Sequence, residues 1–333
     1  MHDLDLDLRS LVSRRSLVAA GLFLAAVAAV ATTTHRFGAA VDGLEEARPI
    51  WLWAAAAGFL GALLASASAW RGAFGLCGGE LTRLDASARY GLGSLVNSVS
   101  PVRVGGAVRL ALFGRTLPGG DRAWRAGGAL GVITAGRALV FGVLVVCAAA
   151  FGAVPLWPVV VFAGFAGACG LVAFATRDRT PRTHVAHVLD AFRGLARSPL
   201  RGARMVGWLA LGTAARCAGA IAIAAALGVR SPVSAALIIV PALDLAGLIP
   251  LSGNVGITSG AVAVALETHG IGMTQGLATG LAFHAVETAA GLTFGLSGAL
   301  VLAPRRRVLT LAAAGAAACL AAAFAATVLL PLA

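Results

Sequence analysis

The chain has no lysine, little charge of either sign and no paired cysteines, and each absence removes a class of function. All 26 basic residues are arginine, set against 14 acidic ones, for a formal net charge of +12. A basic chain invites a nucleic-acid reading. These arginines, however, fall mostly in the connections between apolar runs, as expected of cytoplasmic loops in a membrane protein, so no nucleic-acid partner is expected. The missing lysine matches a genome biased towards arginine codons and carries no mechanistic weight. Cys77, Cys147, Cys169, Cys217 and Cys319 stand far apart. They form no C-x-x-C pair, and most sit inside apolar runs as small hydrophobes. His184 and His187 lie in an arginine-rich stretch without a third ligand, so no metal and no cofactor are expected. No nucleotide-binding motif is present, which leaves an ion gradient, a downhill lipid gradient or an attached partner as driving force.

What is there is hydrocarbon. Apolar residues make up 59% of 333 and charged residues 12%, with a mean hydropathy of +0.89. Several runs reach the roughly 20 residues a helix needs to cross the hydrocarbon core. They are solidly apolar rather than alternating, which excludes a β-barrel. The fold class is all-α: a polytopic membrane protein with about seven full spans, near 16–33, 50–70, 127–151, 157–175, 205–227, 275–302 and 308–330. No composition shift marks a soluble domain, so residues 1–333 read as a single integral membrane domain. The first run is longer than a signal core and lacks a cleavage site, and is read as a retained span. Trp51, Trp53, Trp70, Trp157 and Trp208 sit near span ends, where an interfacial indole is favoured.

Loop charge orients the chain. Arg9, Arg14 and Arg15 precede the first run, arginines crowd 71–125 and 177–204, and Arg305, Arg306 and Arg307 follow the sixth. A cytoplasmic N-terminus in a bacterial-type cytoplasmic membrane places all of these inside, provided that 231–270 enters and leaves by the outer face. That requires a re-entrant hairpin turning around 250–256, where Pro250, Gly253 and Gly256 supply the breakers. By the same reasoning 88–115 is a hairpin from the cytoplasmic side, bent at 97–106. Two Gly/Pro-interrupted segments in corresponding halves, facing opposite ways, are the pattern of an inverted-repeat transporter. The alternative is a surface amphipathic helix at 88–115 and a plain span at 234–250. The connection 177–204 is amphipathic and lies either along the inner leaflet or packed on the bundle.

Irregular backbone at membrane depth is tolerated only when buried in protein or lining a watery cavity, and charge there marks a site or pathway. The informative stretch is therefore Asn97-Ser-Val-Ser-Pro101-Val-Arg103-Val-Gly105-Gly106-Ala-Val-Arg109. Arg103 and Arg109, six apart, would lie about 120° off a shared helix face, and a bend at Gly105–Gly106 brings them together. Arginine's planar fork suits a phosphate diester, and free N–H groups after the break add a second anion-binding device. Arg137, inside the next span, can reach the same cavity. The competing reading for these arginines is snorkelling towards the cytoplasm. On the second hairpin Ser252, Asn254, Thr258 and Ser259 are polar candidates. Asp244, in an apolar run without a local basic neighbour, needs a remote partner such as Arg216 or Arg137. His284 and Glu287, three apart on one face, form either a proton-responsive pair or a polar helix contact.

These two broken segments resemble the lysylphosphatidylglycerol synthase and flippase-like membrane region, the lipid-translocating part of bacterial multiple peptide resistance factors. The family's first motif, Asn…Pro-x-Arg-x-Gly-Glu-x-x-Arg, is matched by Asn97, Pro101, Arg103, Gly105 and Arg109. Its second, near Pro-x-Ser-Pro-Gly-Gly-x-Gly-x-x-Glu, is matched by Pro250, Ser252, Gly253 and Gly256. The likeness runs from about residue 91 to residue 300. The acids of the pattern are missing: Gly106 and Ser259 stand at two acidic positions, and a Glu-Arg pair reads Gly136-Arg137. The resemblance implies a lipid flippase-like transporter that takes an anionic or zwitterionic headgroup across the cytoplasmic membrane, with membrane lipids as partners. Asn97, Pro101, Arg103, Gly105, Arg109, Arg137, Ser252 and Asn254 would meet the headgroup, and Asp244, His284 and Glu287 would form a coupling network. With no room for a fused aminoacyl-transferase, no synthase activity is expected. The alternatives are a non-catalytic subunit supporting an envelope-biosynthesis glycosyltransferase or lipid-modifying enzyme, and an embedded transferase on a lipid carrier. The second needs convergent acids that the sequence does not supply.

Overall fold

A computed structural model describes residues 47–99, 104–119, 121–175, 190–195, 197–246 and 255–302. The expected spans at 16–33 and 308–330, the residues Pro101, Arg103, Ser252 and Asn254, and residues 177–189 and 196 of the 177–204 connection lie outside them. All the regular elements described are α-helices; besides a helical stretch at 190–195 they are α1 (Pro49–Leu76), α2 (Arg83–Val99), α3 (Gly105–Gly114), α4 (Arg122–Ala150), α5 (Trp157–Ala175), α6 (Pro199–Ala226), α7 (Pro232–Ala246), α8 (Val255–Glu267) and α9 (Met273–Leu302).

Four of these, α1, α4, α6 and α9, are long and apolar enough to cross a membrane. At 28 to 30 residues each reaches about 42–45 Å, beyond the roughly 30 Å hydrocarbon core. Leu139, Val143 and Val146, spaced along one side of α4, are all exposed, as lipid-facing residues should be. The chain is a multi-pass helical membrane protein.

Local punctuation sets the long helices. α1 and α6 both begin on proline, Pro49 and Pro199, whose fixed φ suits the first helical position. Both end before a glycine at positive φ, Gly78 at 87° and Gly228 at 65°, a conformation that reverses the chain without a Cβ clash. α6 therefore starts six residues before the expected 205, because the Ser198–Pro199 junction starts the helix before the apolar run does. The two sets of signals are 150 residues apart. Between Pro49 and Ala150 the order is span, broken helix pair, span, and the same order returns between Pro199 and Leu302.

Each broken pair consists of helices too short to cross alone. α2 and α3 have 17 and 10 residues, α7 and α8 have 15 and 13, or about 15–25 Å each. α3 packs on α2, and α8 on α7. The first pair opens with Thr82, whose hydroxyl accepts from the Asp85 N–H at 3.1 Å and donates to its carboxylate at 2.7 Å, an N-terminal cap built from side chains.

α1 and α6 pack antiparallel: Gly58 meets Ala215 and Gly219, Gly212 meets Ala62 and Ala65, and Gly72 meets Met205. The approach at Gly58 is tight enough that a Cβ would come to 2.9 Å of the Ala215 carbonyl oxygen, the close backbone contact that small residues permit in lipid. α9 grips both broken pairs. Its C-terminal half runs antiparallel to α2, with Gly291 beside Ser98 and Gly298 beside Ala88; its N-terminal half runs antiparallel to α8, with Gly276 beside Ala263 and Gly280 beside Ser259. The C-terminal end of α2 and the N-terminal end of α8 are thus both directed towards the middle of α9. One apolar core, with Phe59 and Phe283 edge to face at 4.8 Å, lies around the second pair. The other, with Trp70, Phe74 and Phe113, lies around the first.

Candidate functional site

Two arginine centres occupy the middle of the bundle. In the first, α2 and α3 approach at Gly93 and Gly105, where a Cβ on Gly93 would lie 2.2 Å from Arg109 Cγ. Only a glycine lets the Arg109 side chain cross α2. Its guanidinium donates to Ser94 Oγ at 2.9 Å and sits 4.1 Å over the Tyr90 ring, a cation–π contact strengthened by desolvation. Its Nε is buried without an acceptor. Tyr90 is 4% exposed, and Ser66 of α1 and Arg137 of α4 both come within hydrogen-bonding reach of its hydroxyl. Arg137 is near enough for its charge to act on Arg109. Among the described residues neither arginine meets a carboxylate. Arg89 donates to the Leu112 carbonyl at 2.7 Å, and its Nε is also buried without an acceptor. The first centre is rich in donors and poor in acceptors.

In the second centre the charges are matched. Arg216 of α6 donates from Nε to Glu287 of α9 at 3.1 Å and from NH1 to Asp244 of α7, with the side chain 25% exposed and each carboxylate 39% exposed. Phe283 lies under the same guanidinium. One planar fork thus ties three helices together.

The sequence-derived residues divide between these centres. Arg109 and Arg137 meet at Tyr90. Asn97 is exposed in the last turn of α2, beside Gly105, whose own place is set by close packing: a Cβ there would come to 2.2 Å of the Gly93 carbonyl oxygen. Asp244 takes Arg216, one of the two partners anticipated. Glu287 binds Arg216 too, while His284 stands one turn away on α9 and is half-buried. Ser66, Tyr90, Ser94 and Arg89 escaped the sequence reading, since hydroxyls in an apolar run draw little notice. Tyr90 is nevertheless the single tyrosine of the chain, a usable signal in hindsight. No group of side chains able to hold a metal occurs among the described residues.

Comparison with known proteins bears on what these centres serve. No curated protein and no solved structure matches the chain. The family model described as lysylphosphatidylglycerol synthase TM region matches residues 16–295, a stretch that contains both broken helix pairs and both arginine centres. This chain belongs to the lysylphosphatidylglycerol synthase transmembrane-region family.

Proposed function

We propose that the protein moves a phospholipid headgroup across the cytoplasmic membrane while the acyl chains stay in lipid. The observation that carries this reading is the pair of guanidiniums, Arg109 and Arg137, brought to one buried tyrosine with no carboxylate among the described residues to neutralise them. Uncompensated charge at membrane depth is costly and is kept where a pathway needs it. Arginine forks and unfilled N–H donors match phosphate oxygens. Membership of a lipid-related membrane family supports the same reading.

The architecture supports a transporter over an enzyme. Two broken pairs lie at corresponding places in two halves whose leading spans pack antiparallel, the plan of an inverted repeat with its binding region at mid-depth. Each broken pair is then a re-entrant hairpin, the first from the cytoplasmic face and the second from the outer face, with the N-terminus inside. α5 serves as a further span between the halves. Of the acids described, only Asp244 and Glu287 lie deep in the apolar helices, and both face Arg216, so a nucleophile–base set is wanting.

Reconstitution tests the proposal. Purified protein in liposomes should move short-chain fluorescent phospholipids between leaflets, and Arg109→Ala should abolish the movement. Lipid modified but not moved would instead favour the embedded enzyme. Movement only with a partner present would favour the supporting subunit. A cysteine placed at residue 252 should label from the outer face; labelling from inside alone would remove the second hairpin.

A further inference from the structure

We infer that the first centre selects headgroups with negative charge on phosphate and no ammonium group. This deepens the translocation reading and rests on it. Ser66, Ser94 and Arg137 stand 150 residues before Arg216, Asp244 and Glu287, and each of the six lies on the corresponding element of its half: α1 with α6, α2 with α7, α4 with α9. The same three places thus carry two hydroxyls and a guanidinium in the first half, and a guanidinium and two carboxylates in the second. Arg109 adds a second cation to the first half, where its counterpart 150 residues on is Ser259.

A zwitterionic headgroup needs a carboxylate or an open aromatic face for its ammonium group. The first centre has neither. No carboxylate reaches Arg109 or Arg137 among the described residues, and the Tyr90 face is covered by the Arg109 guanidinium at 4.1 Å. The carboxylates of the second centre both bind Arg216, so turning either to an ammonium would strand that arginine. A phosphate meets the opposite situation. Arg109 offers a buried Nε with no acceptor, Arg137 brings a second fork, and an anion between them relieves the repulsion of two like charges. Phosphatidylglycerol and phosphatidate carry this chemistry on a lipid. A soluble phosphate ester carries it without one.

The test uses the full chain in liposomes, with short-chain fluorescent phosphatidylglycerol, phosphatidate and phosphatidylethanolamine as probes and labelled glycerol 3-phosphate in the bath. The expected result is movement of the two anionic lipids about tenfold or more faster than phosphatidylethanolamine. Ser94→Asp, which places in the first half the acid its counterpart already has, should erase that preference. Gly106→Glu should act in the same direction. Gly106 is exposed, and a Cβ there meets nothing within 4 Å, so this variant keeps the test alive if the buried Ser94→Asp fails to fold. Phosphatidylethanolamine moving as fast as phosphatidylglycerol in the wild type overturns the selectivity and leaves translocation standing; an unchanged preference in Gly106→Glu does the same. If none of the three lipids moves, the translocation reading falls. If glycerol 3-phosphate enters while no lipid moves, the anion belongs to a soluble solute and both are overturned.

Discussion

Two arginines of one helical bundle are held in opposite ways. Arg216 sits between Asp244 and Glu287, binding α6 to α7 and α9. Arg109 sits on a tyrosine face with one neutral hydroxyl as its partner and a second arginine nearby. The first arrangement is self-contained, because its charges answer one another and the helices gain a fixed registry. The second is incomplete among the described residues, since a part-buried arginine beside a second cation calls for an anion that those residues do not supply. A matched centre is thus expected to govern stability and an unmatched one to govern binding.

The largest effect is on folding. Arg216→Ala leaves two carboxylates facing each other inside the bundle and should cost about 3 kcal/mol, the lower end of the range for breaking a buried pair, because each carboxylate is 39% exposed. Thermal unfolding in detergent reads the loss. Replacing all three together (Arg216→Met, Asp244→Asn, Glu287→Gln) should recover most of it, since matched removal leaves no charge stranded. Failure to recover would show that the triad does more than balance itself.

Next comes Arg109→Ala. Translocation of phosphatidylglycerol should be lost, while unfolding changes less than in Arg216→Ala, because the arginine gives up one hydrogen bond to a neutral hydroxyl and one cation–π contact and strands no carboxylate. A loss of stability comparable to that of Arg216→Ala would erase the contrast between the centres. Gly93→Ala should act on the same arginine from the opposite helix. Its Cβ would lie 2.2 Å from Arg109 Cγ, so about 1–3 kcal/mol of overpacking should accompany a drop in translocation. The smallest change in stability is expected of Arg137→Ala. Its side chain is exposed and unfolding should shift by no more than about 0.5 kcal/mol, yet translocation should still decline in a liposome assay.

Much of this was legible in the residues. Spans announce themselves by length and hydropathy, and the breaks by Pro101, Gly105, Pro250 and Gly253, because helix breakers inside apolar runs have few other meanings. Asp244 could be assigned a remote arginine because an isolated acid in hydrocarbon must find one, and Arg216 was among the two anticipated. The recurrence of the two halves was less visible. Pro49 and Gly78 match Pro199 and Gly228 at a fixed offset, but the helices between them share apolar character rather than identity, and lipid-facing positions accept almost any hydrophobe. The Tyr90 platform was hidden for another reason: Ser94 and Arg109 are 15 residues apart on separate helices, and only the close approach at Gly93 brings them together. A glycine in a chain with 43 of them gives no hint that it is the one a side chain must cross.

The central claim, that Arg109 belongs to an anion site for a lipid headgroup, is tested most directly by lipid-dependent stability. Purified wild-type protein and Arg109→Ala, in an uncharged detergent, are titrated with short-chain phosphatidylglycerol while the unfolding temperature is followed. A ligand that binds only the folded state raises that temperature with concentration. The account predicts a rise of several degrees in the wild type that is absent in Arg109→Ala. An equal rise in both, or none in either, would contradict it.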